Sequence, residues 1–256
     1  MIALRGVAIA AGGRTLVEAI DARIGACEFT AVLGPNGVGK TTLLRAIRGL
    51  APIAHGEIAI DGRPLAQLTG LERAQRIAFV TADETLTEAL TVRDVVALGR
   101  FPHHRWWQWN ETPHDGAAIE RALADVGMNR YGDRLFGTLS SGERQRAWIA
   151  MGLAQATPVL MLDEPTSHLD VRVAHELLAL LRRLAAGGRT IVCVLHDLND
   201  AAAYADRLLL LGCERMLAYG RPEAVLTPQI IERAYGIAMQ RIDTPHGPRM
   251  LPAALR

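Results

Sequence analysis

Apolar residues form three short runs along the chain, at residues 28–33, 159–162 and 190–195. The last two runs do not alternate with polar positions, which is typical of central strands that are buried on both faces. The first run contains β-branched content and is followed at once by a glycine-rich turn. The three runs therefore predict buried strands.

Helical patterns occupy much of the remaining chain, at residues 40–48, 171–186 and 198–205. In the second pattern, leucines recur with helical spacing at positions 177, 178, 180, 181 and 184. Strands that alternate with helices indicate crossover connections between parallel neighbours. We therefore expect an α/β fold with a mostly parallel sheet.

The middle of the chain, residues 85–156, has few strand signals. We expect it to form a helical subdomain inserted into an α/β core made of residues 1–84 and 157–256, all within one domain. The end of the chain, residues 227–256, predicts a short helix followed by an edge strand or a loop. The helix-like pieces of the middle segment are residues 92–98, 117–126 and 142–156.

Composition excludes several classes of protein. Half of the 256 residues are apolar, which rules out a disordered chain. The 28 basic and 27 acidic residues nearly cancel, so we expect no nucleic-acid partner. Of three cysteines without CxxC spacing, Cys193 lies in an apolar run and is expected to be buried.

No apolar run approaches the ~20 residues that span a bilayer, and the first residues do not resemble a secretory signal. We expect a cytoplasmic protein whose membrane role requires an integral partner.

A glycine-rich segment between a predicted strand and a predicted helix fits the phosphate-binding pattern GxxxxGK[ST]. Glycines let the backbone curl so that N–H groups point at phosphate oxygens, and the helix presents its positive end to the same anion. We expect Lys40 to reach the β- and γ-phosphates, Thr41 to ligate Mg²⁺ and Thr42 to bond the α-phosphate. The alternative is a glycine-rich turn without a ligand. The predicted nucleotide-binding residues are Gly34, Pro35, Asn36, Gly37, Val38, Gly39, Lys40, Thr41 and Thr42.

The second apolar run ends in two carboxylates, Asp163 and Glu164. We expect Asp163 to hold Mg²⁺ through water. Because side chains alternate along a strand, Glu164 is expected on the other face, where it would act as general base for an attacking water. The alternative is a solvated turn that caps a helix.

His196 follows the third apolar run directly. A parallel sheet brings the end of that strand to the same edge as Lys40 and Asp163. A histidine there would donate a hydrogen bond to the γ-phosphate and position the water. The alternative is a cap for the following helix, a role that Asp197 also suits.

A second small-residue turn precedes a predicted helix in the segment LSSGERQR, residues 139–146. It is another anion-binding helix start, and two of these are more than one nucleotide needs. We infer that they serve different nucleotides in a dimer. Ser140, Ser141 and Gly142 of one copy would then close on the γ-phosphate held by the other.

Together these motifs resemble the ABC ATPase family over essentially the whole chain. The resemblance implies the ABC ATPase fold, a P-loop NTPase core whose mostly parallel sheet has an antiparallel β edge. It also implies MgATP as substrate, hydrolysis to ADP and phosphate, and an ATP-dependent homodimer. In the signature motif, Ser141 replaces the commoner glycine. The family motifs fall at residues 34–42 (Walker A), at 139–143 with Ser140, Ser141, Gly142 and Glu143 (signature), at 159–163 (Walker B), at Glu164 (catalytic glutamate), at 167–170 with Asp170 (D-loop) and at His196 (switch histidine).

Residues 91–103, 139–146 and 220–237 look like the ATPase subunits of bacterial uptake systems for ferric siderophores, haem or cobalamin. This resemblance implies two membrane permease subunits as partners and, indirectly, a periplasmic binding protein. It also implies a peripheral position on the inner face of the bacterial inner membrane. The alternatives are a subunit of another ABC transporter, a non-transport ABC ATPase and an unrelated P-loop kinase, although a kinase would lack the signature helix and the D-loop.

The sequence departs from the family pattern at two positions. Family members usually carry an aromatic residue near position 11 that stacks on adenine, where this chain has Ala11. The Q-loop glutamine falls on Ala82, beside Asp83 and Glu84. Either the neighbouring carboxylates replace its oxygen ligand or the loop lacks the contact. We expect hydrolysis to survive and coupling to the permease to be the affected function.

Three tryptophans cluster at positions 106, 107 and 109. Clustered exposed aromatics mark protein contacts, so this segment is a candidate border of the groove that receives a permease helix. The alternative is ordinary packing within the helical subdomain.

Overall fold

The computed structural model describes residues 1–81, 89–104, 112–245 and 247–253. Strands and helices alternate through much of this part of the chain. The strands are β1 (Ile2–Ala11), β2 (Arg14–Ile24), β3 (Phe29–Leu33), β4 (Ile53–Ile60), β5 (Arg63–Pro64), β6 (Ile77–Thr81), β7 (Val159–Asp163), β8 (Thr190–Val194), β9 (Arg207–Gly212), β10 (Arg215–Gly220), β11 (Met239–Thr244) and β12 (Gly247–Pro252). The helices are α1 (Lys40–Arg48), α2 (Gly70–Ala74), α3 (Val92–Ala97), α4 (Pro113–Asp125), α5 (Ser141–Ala154), α6 (Val171–Ala186), α7 (Leu198–Tyr204), α8 (Pro222–Val225) and α9 (Pro228–Tyr235).

One large sheet contains ten of the strands in the described part of the chain, in the order β5-β4-β1-β2-β10-β9-β3-β8-β7-β6. Strands β9, β3, β8, β7 and β6 are parallel, and β10 is antiparallel to β9. Strands β1, β2, β4 and β5 form an antiparallel part that joins the rest through β2 and β10. The predicted α/β fold with a parallel core and an antiparallel β edge is therefore confirmed.

The continuous apolar runs arise because the central strands separate two hydrophobic cores. Both β3 and β8 are buried along their whole length. In β3, Ala31 and Leu33 face a core shared with α5 and α6, whereas Val32 faces a second core shared with α1 and the antiparallel strands. Alternate residues point to opposite faces, so both faces of these strands need apolar side chains, and the exceptions in β3 and β8 are the buried threonines Thr30 and Thr190. Cys193 in β8 is fully buried, as predicted.

In helix α6, the leucines that recur with helical spacing in the sequence form the buried face. Its buried face carries Leu177, Leu178, Leu180 and Leu181, whereas Glu176 on the other face forms exposed ion pairs with arginines. Its bounds agree with the prediction, as do those of α1. No helix in the described ranges is long and apolar enough to span a bilayer.

Other helices begin or end at residues that differ from the predicted ones. Helix α4 begins at Pro113, earlier than predicted, because Thr112 and Asp115 form a reciprocal capping box and proline suits the first helical turn. Helix α3 ends at Ala97 and is followed by a 3₁₀ turn to His103. The predicted helix 142–156 is α5 and begins one position earlier.

The predicted short helix near the C-terminus is α9, and a strand follows it as expected, but this strand belongs to a hairpin that the sequence did not predict. Strands β11 and β12 pair with each other in a separate antiparallel sheet. This hairpin packs on α7, where the side chain of Asn199 accepts a hydrogen bond from the N–H of Met250 at 2.8 Å and donates to its carbonyl at 3.2 Å. Long-range hydrogen bonds therefore hold the hairpin against α7.

A buried ion pair fixes the region around the start of α4. Arg100, only 2% exposed, donates from Nε to Asp115 and from Nη1 to the carbonyl of Ala154, both at 2.8 Å. Thr112 and His104 hydrogen-bond the other oxygen of the Asp115 carboxylate, at 2.6 and 2.9 Å. Burial by itself raises the pKa of Asp115, but the hydrogen bonds it accepts outweigh burial and hold that pKa well below its ordinary value.

We expect Asp115→Asn to lower the free energy of unfolding by about 3 to 5 kcal/mol, because it leaves the buried guanidinium of Arg100 without a counter-charge. Urea unfolding followed by circular dichroism measures the change. As a matched control, Glu176→Gln breaks exposed ion pairs and should cost less than about 1 kcal/mol. Equal losses in the two variants would contradict the assignment.

The ion pair also predicts acid sensitivity. Since the pKa of Asp115 is lower in the folded chain, its stabilisation is complete above the unfolded carboxyl pKa of about 4 and is lost as the pH falls through the folded value. The melting temperature of the parental protein should therefore fall more steeply below pH 4 than that of Asp115→Asn. Parallel melting curves for the two proteins would refute this prediction.

Candidate functional site

A tight loop connects β3 to α1 and uses backbone conformations that favour glycine. Gly34 has a φ of +147° and Gly39 a φ of +104°. A Cβ atom on Gly34 would lie 2.5 Å from the carbonyl oxygen of Leu211, so no side chain fits there. Gly39 precedes α1 directly, which leaves the first N–H groups of the helix open toward the loop. This backbone geometry is the one that phosphate binding requires.

Lys40 places a buried ammonium group beneath the loop. The residue is only 4% exposed, and its Nζ donates to the carbonyls of Gly34 at 2.8 Å and Pro35 at 3.1 Å. Burial lowers the pKa of Lys40, and the nearby carboxylates of Glu164 and Asp163 oppose that shift. The ammonium group of Lys40 is therefore held by two backbone carbonyls of the loop.

Asp163, the last residue of β7, faces the start of α1. The hydroxyl of Thr41 donates to its carboxylate at 3.0 Å. Burial raises the pKa of Asp163, an effect that the hydrogen bond from Thr41 partly offsets. A hydroxyl and a half-buried carboxylate in contact are hard oxygen donors, and these residues fit a bound Mg²⁺ ion.

Glu164 and His196 are in contact across the ends of β7 and β8, with Nε2 of the imidazole and Oε1 of the carboxylate 2.8 Å apart. Partial burial raises the pKa of Glu164, but the hydrogen bond from His196 and the charge of Lys40 leave it below its ordinary value. The strand ends at Asp163, and Glu164 has a φ of +51°. Strand alternation therefore does not orient this carboxylate, contrary to prediction; a left-handed turn does.

The proposed cap role of His196 belongs to its neighbour. Asp197 is the N-cap of α7 and accepts hydrogen bonds from the N–H groups of Asn199 and Asp200. Asp197 thus caps α7, and the side chain of His196 contacts Glu164.

A pocket of about 310 Å³ lies beside the phosphate loop and is lined by Lys40, Thr41, Glu164 and His196, among other residues. Pro35 and Val38 line an adjoining pocket. Gly34 accepts a hydrogen bond from Lys40, and Asp163 accepts one from Thr41, so both are joined to residues that line the first pocket. Of the predicted site residues, the pocket brings together Asn36, Gly37, Gly39, Lys40, Thr41, Thr42, Glu164 and His196.

The remaining predicted residues lie at other helix starts. Ser140 caps α5 in a reciprocal capping box with Glu143, and Asp170 caps α6 by accepting from the N–H of Val173 at 2.9 Å. Ser141, the first residue of α5, is exposed. The residues that line the phosphate-loop pocket in the described chain include none of the signature or D-loop residues.

Sequence reasoning missed Leu16 of β2. Leu16 lines the pocket, and a Cβ atom built on Gly39 would lie 3.2 Å from the Cβ of Leu16. No signal in the sequence singled it out, because Leu16 and Gly39 lie on segments that meet only in the folded chain.

Several predicted features lie outside the described residues. They are Ala82 with its neighbours Asp83 and Glu84, the tryptophans Trp106, Trp107 and Trp109, and the side chain of Ala11. The hypotheses attached to them remain predictions.

A family model described as "ABC transporter" matches residues 17–167 of this chain. The match covers the phosphate loop, α5 and the carboxylates at the end of β7. The chain therefore belongs to the ATP-binding proteins of the ABC transporter family, as predicted, and is an ATPase of that family. An unrelated P-loop kinase is excluded.

The chain is 40% identical to the ferric enterobactin transport ATP-binding protein FepC of Escherichia coli (strain K12), across 91% of this chain and 86% of that protein. It is 39% identical to the hemin import ATP-binding protein HmuV of Rhodococcus jostii (strain RHA1), across 94% and 81% of the two chains.

Solved structures agree with this assignment. A chain from an inward-facing ABC transporter, described as of the metal-chelate type, superimposes with a TM-score of 0.86 and 26% identity across 98% of this chain and 97% of that one. A dimeric bacterial ABC transporter cassette has a TM-score of 0.73 and 26% identity, across 87% and 99% of the two chains.

Proposed function

We propose that this chain is the ATP-hydrolysing subunit of a bacterial importer for an iron siderophore or haem. The observation that carries the hydrolytic part is the convergence of Lys40, the Thr41–Asp163 pair and the Glu164–His196 pair at one sheet edge. The names of the similar proteins, ferric enterobactin transport and hemin import, support the class of cargo.

The phosphate loop binds the triphosphate through its backbone. The N–H groups at the start of α1 and the loop glycines face the phosphate oxygens, and Thr42 bonds the α-phosphate. Lys40 moves its ammonium from the carbonyls of Gly34 and Pro35 to the β- and γ-phosphates. A charged phosphate oxygen is the stronger partner, because charge-assisted hydrogen bonds exceed those to neutral carbonyls.

Thr41 and Asp163 are the residues that would hold Mg²⁺. When bound, the ion neutralises negative charge on the β- and γ-phosphates. The chain prepares for it by placing a half-buried carboxylate against a hydroxyl, so that both oxygens are already oriented.

Glu164 is the proposed general base. Its lowered pKa keeps the carboxylate ionised near neutral pH, ready to accept a proton from the attacking water. His196 holds the carboxylate in place through the 2.8 Å contact and is positioned to hydrogen-bond the γ-phosphate. In-line attack then releases ADP and phosphate.

The second half of each reaction centre is proposed to come from another copy of the chain. Ser140, Ser141 and Gly142 begin α5, a helix whose positive end suits a phosphate, yet they do not line the pocket of their own chain. In a head-to-tail dimer they would close on the γ-phosphate bound by the partner copy, with Asp170 at the same interface.

The remaining assignments complete the proposal. Residues 1–84 and 157–256 form the core that binds ATP, and residues 85–156 form the helical subdomain that carries the signature motif. Two copies would sit on the cytoplasmic face of the inner membrane against a permease dimer, which a periplasmic binding protein supplies with cargo. Dimer opening after hydrolysis would drive the permease.

We expect Glu164→Gln to reduce ATP turnover by about 10²- to 10⁴-fold while leaving the affinity for MgATP near the parental value. The amide retains the shape of the side chain but does not accept a proton. Phosphate release and calorimetric titration measure the two quantities. Glu176→Gln, an exposed carboxamide on α6, is the matched control and should hydrolyse ATP normally. Parental turnover by Glu164→Gln would disprove the assignment of the base.

Turnover should also require two copies. Ser141→Arg adds a bulky cation at an exposed position that caps nothing in its own chain, so it should abolish ATPase activity and leave MgATP binding unchanged. Asn129→Arg adds the same charge to the same helical region and should retain activity. Specific activity of the parental chain should fall on dilution, and activity strictly proportional to protein concentration would count against the dimer.

A further inference from the structure

The turn that follows β7 places a serine hydroxyl beside the side chain of Glu164. The backbone N–H of Ser167 donates to the carbonyl of Glu164 at 3.1 Å, which closes a β-turn. Pro165 occupies the second position of this turn, where the fixed φ of proline is favourable. In addition, the hydroxyl of Ser167 donates to Oε2 of the Glu164 carboxylate at 3.4 Å. The local backbone therefore brings Ser167 back onto the carboxylate of Glu164.

The backbone on both sides of the turn adopts conformations that few side chains favour. Glu164 has a φ of +51° and His168 a φ of +64°, both in the left-handed region. Such conformations cost energy and persist where the surrounding structure imposes them, often at functional sites. Pro165 is buried, and Asp170 caps the helix that follows the turn. The turn is thus held between β7 and α6, and Ser167 keeps its place relative to Glu164.

The two oxygens of the Glu164 carboxylate have different partners. Oε1 lies 2.8 Å from Nε2 of His196, and Oε2 accepts the hydrogen bond from Ser167. In the proposed function His196 also bonds the γ-phosphate, so its side chain serves two groups. Among the described residues, the hydroxyl of Ser167 donates a hydrogen bond to Glu164 alone. Ser167 is also absent from the described residues that line the pocket, whereas Glu164 lines it.

We propose that Ser167 is a positioning residue for hydrolysis, whose hydroxyl fixes the carboxylate of Glu164 in the orientation that faces the attacking water. The inference rests on the proposed function, in which Glu164 is the general base. A base works only within hydrogen-bond reach of the proton it accepts, and a displacement of about 1 Å costs up to ~10²-fold in rate. Because Ser167 acts through Glu164, its loss should slow the chemical step and leave ATP binding intact.

The test is Ser167→Ala in the full chain, assayed at a protein concentration at which specific activity no longer rises, so that dimer formation does not limit turnover. We expect kcat to fall about tenfold and KM for MgATP to keep the parental value, because a poorly oriented base slows only the chemical step. Ser167→Thr retains the hydroxyl and should keep most of the parental kcat. A threonine variant as slow as the alanine variant would contradict the role of the hydroxyl.

The same substitution is then made in the Glu164→Gln chain, where no base remains to be positioned. Adding Ser167→Ala there should lower the residual turnover no further. Thr166→Val is the matched control, since it removes from the same turn a hydroxyl that makes no hydrogen bond within the described chain, and it should keep the parental kcat.

Parental kcat in Ser167→Ala would overturn the proposal, as would a tenfold loss that persists in the Glu164→Gln chain. Parental turnover by Glu164→Gln itself would show instead that the proposed function has failed.

Discussion

The buried ammonium of Lys40 is the charge around which this site is arranged. A cation that is only 4% exposed must be compensated, and the chain does so with two backbone carbonyls and the nearby carboxylates of Asp163 and Glu164. Each of these partners is weaker than a triphosphate for Lys40. In the proposed function, the ammonium group leaves these partners for the phosphates of the bound ATP.

The parallel sheet is what allows these charges to meet. Strands β3, β7 and β8 are neighbours, so the phosphate loop, Asp163 with Glu164, and His196 emerge at one edge although they are far apart in the chain. Two hydrophobic cores hold these strands from both faces, which fixes the distances between Thr41 and Asp163 and between His196 and Glu164. Rigid strands position polar groups more exactly than loops do.

The helices that follow β6 are α3, α4 and α5. Each begins with a local capping box, at Thr91, Thr112 and Ser140 respectively. The buried pair of Arg100 and Asp115 ties this region to the end of α5. In the proposed dimer, the site would be divided between this region of one copy and the phosphate loop of the other, so that ATP would be part of the interface.

The sequence alone determined the features that depend on neighbouring residues. Helices α1 and α6 have the predicted bounds because their apolar spacing and terminal residues are local, and the glycines around Lys40 specify the loop by their conformational freedom. Tertiary structure decided the rest: the left-handed turn that aims Glu164 at His196, the docking of the C-terminal hairpin on Asn199, and the packing of Leu16 against the loop. Each of these joins segments distant in the chain, and the spacing of residues carries no record of which segments will meet.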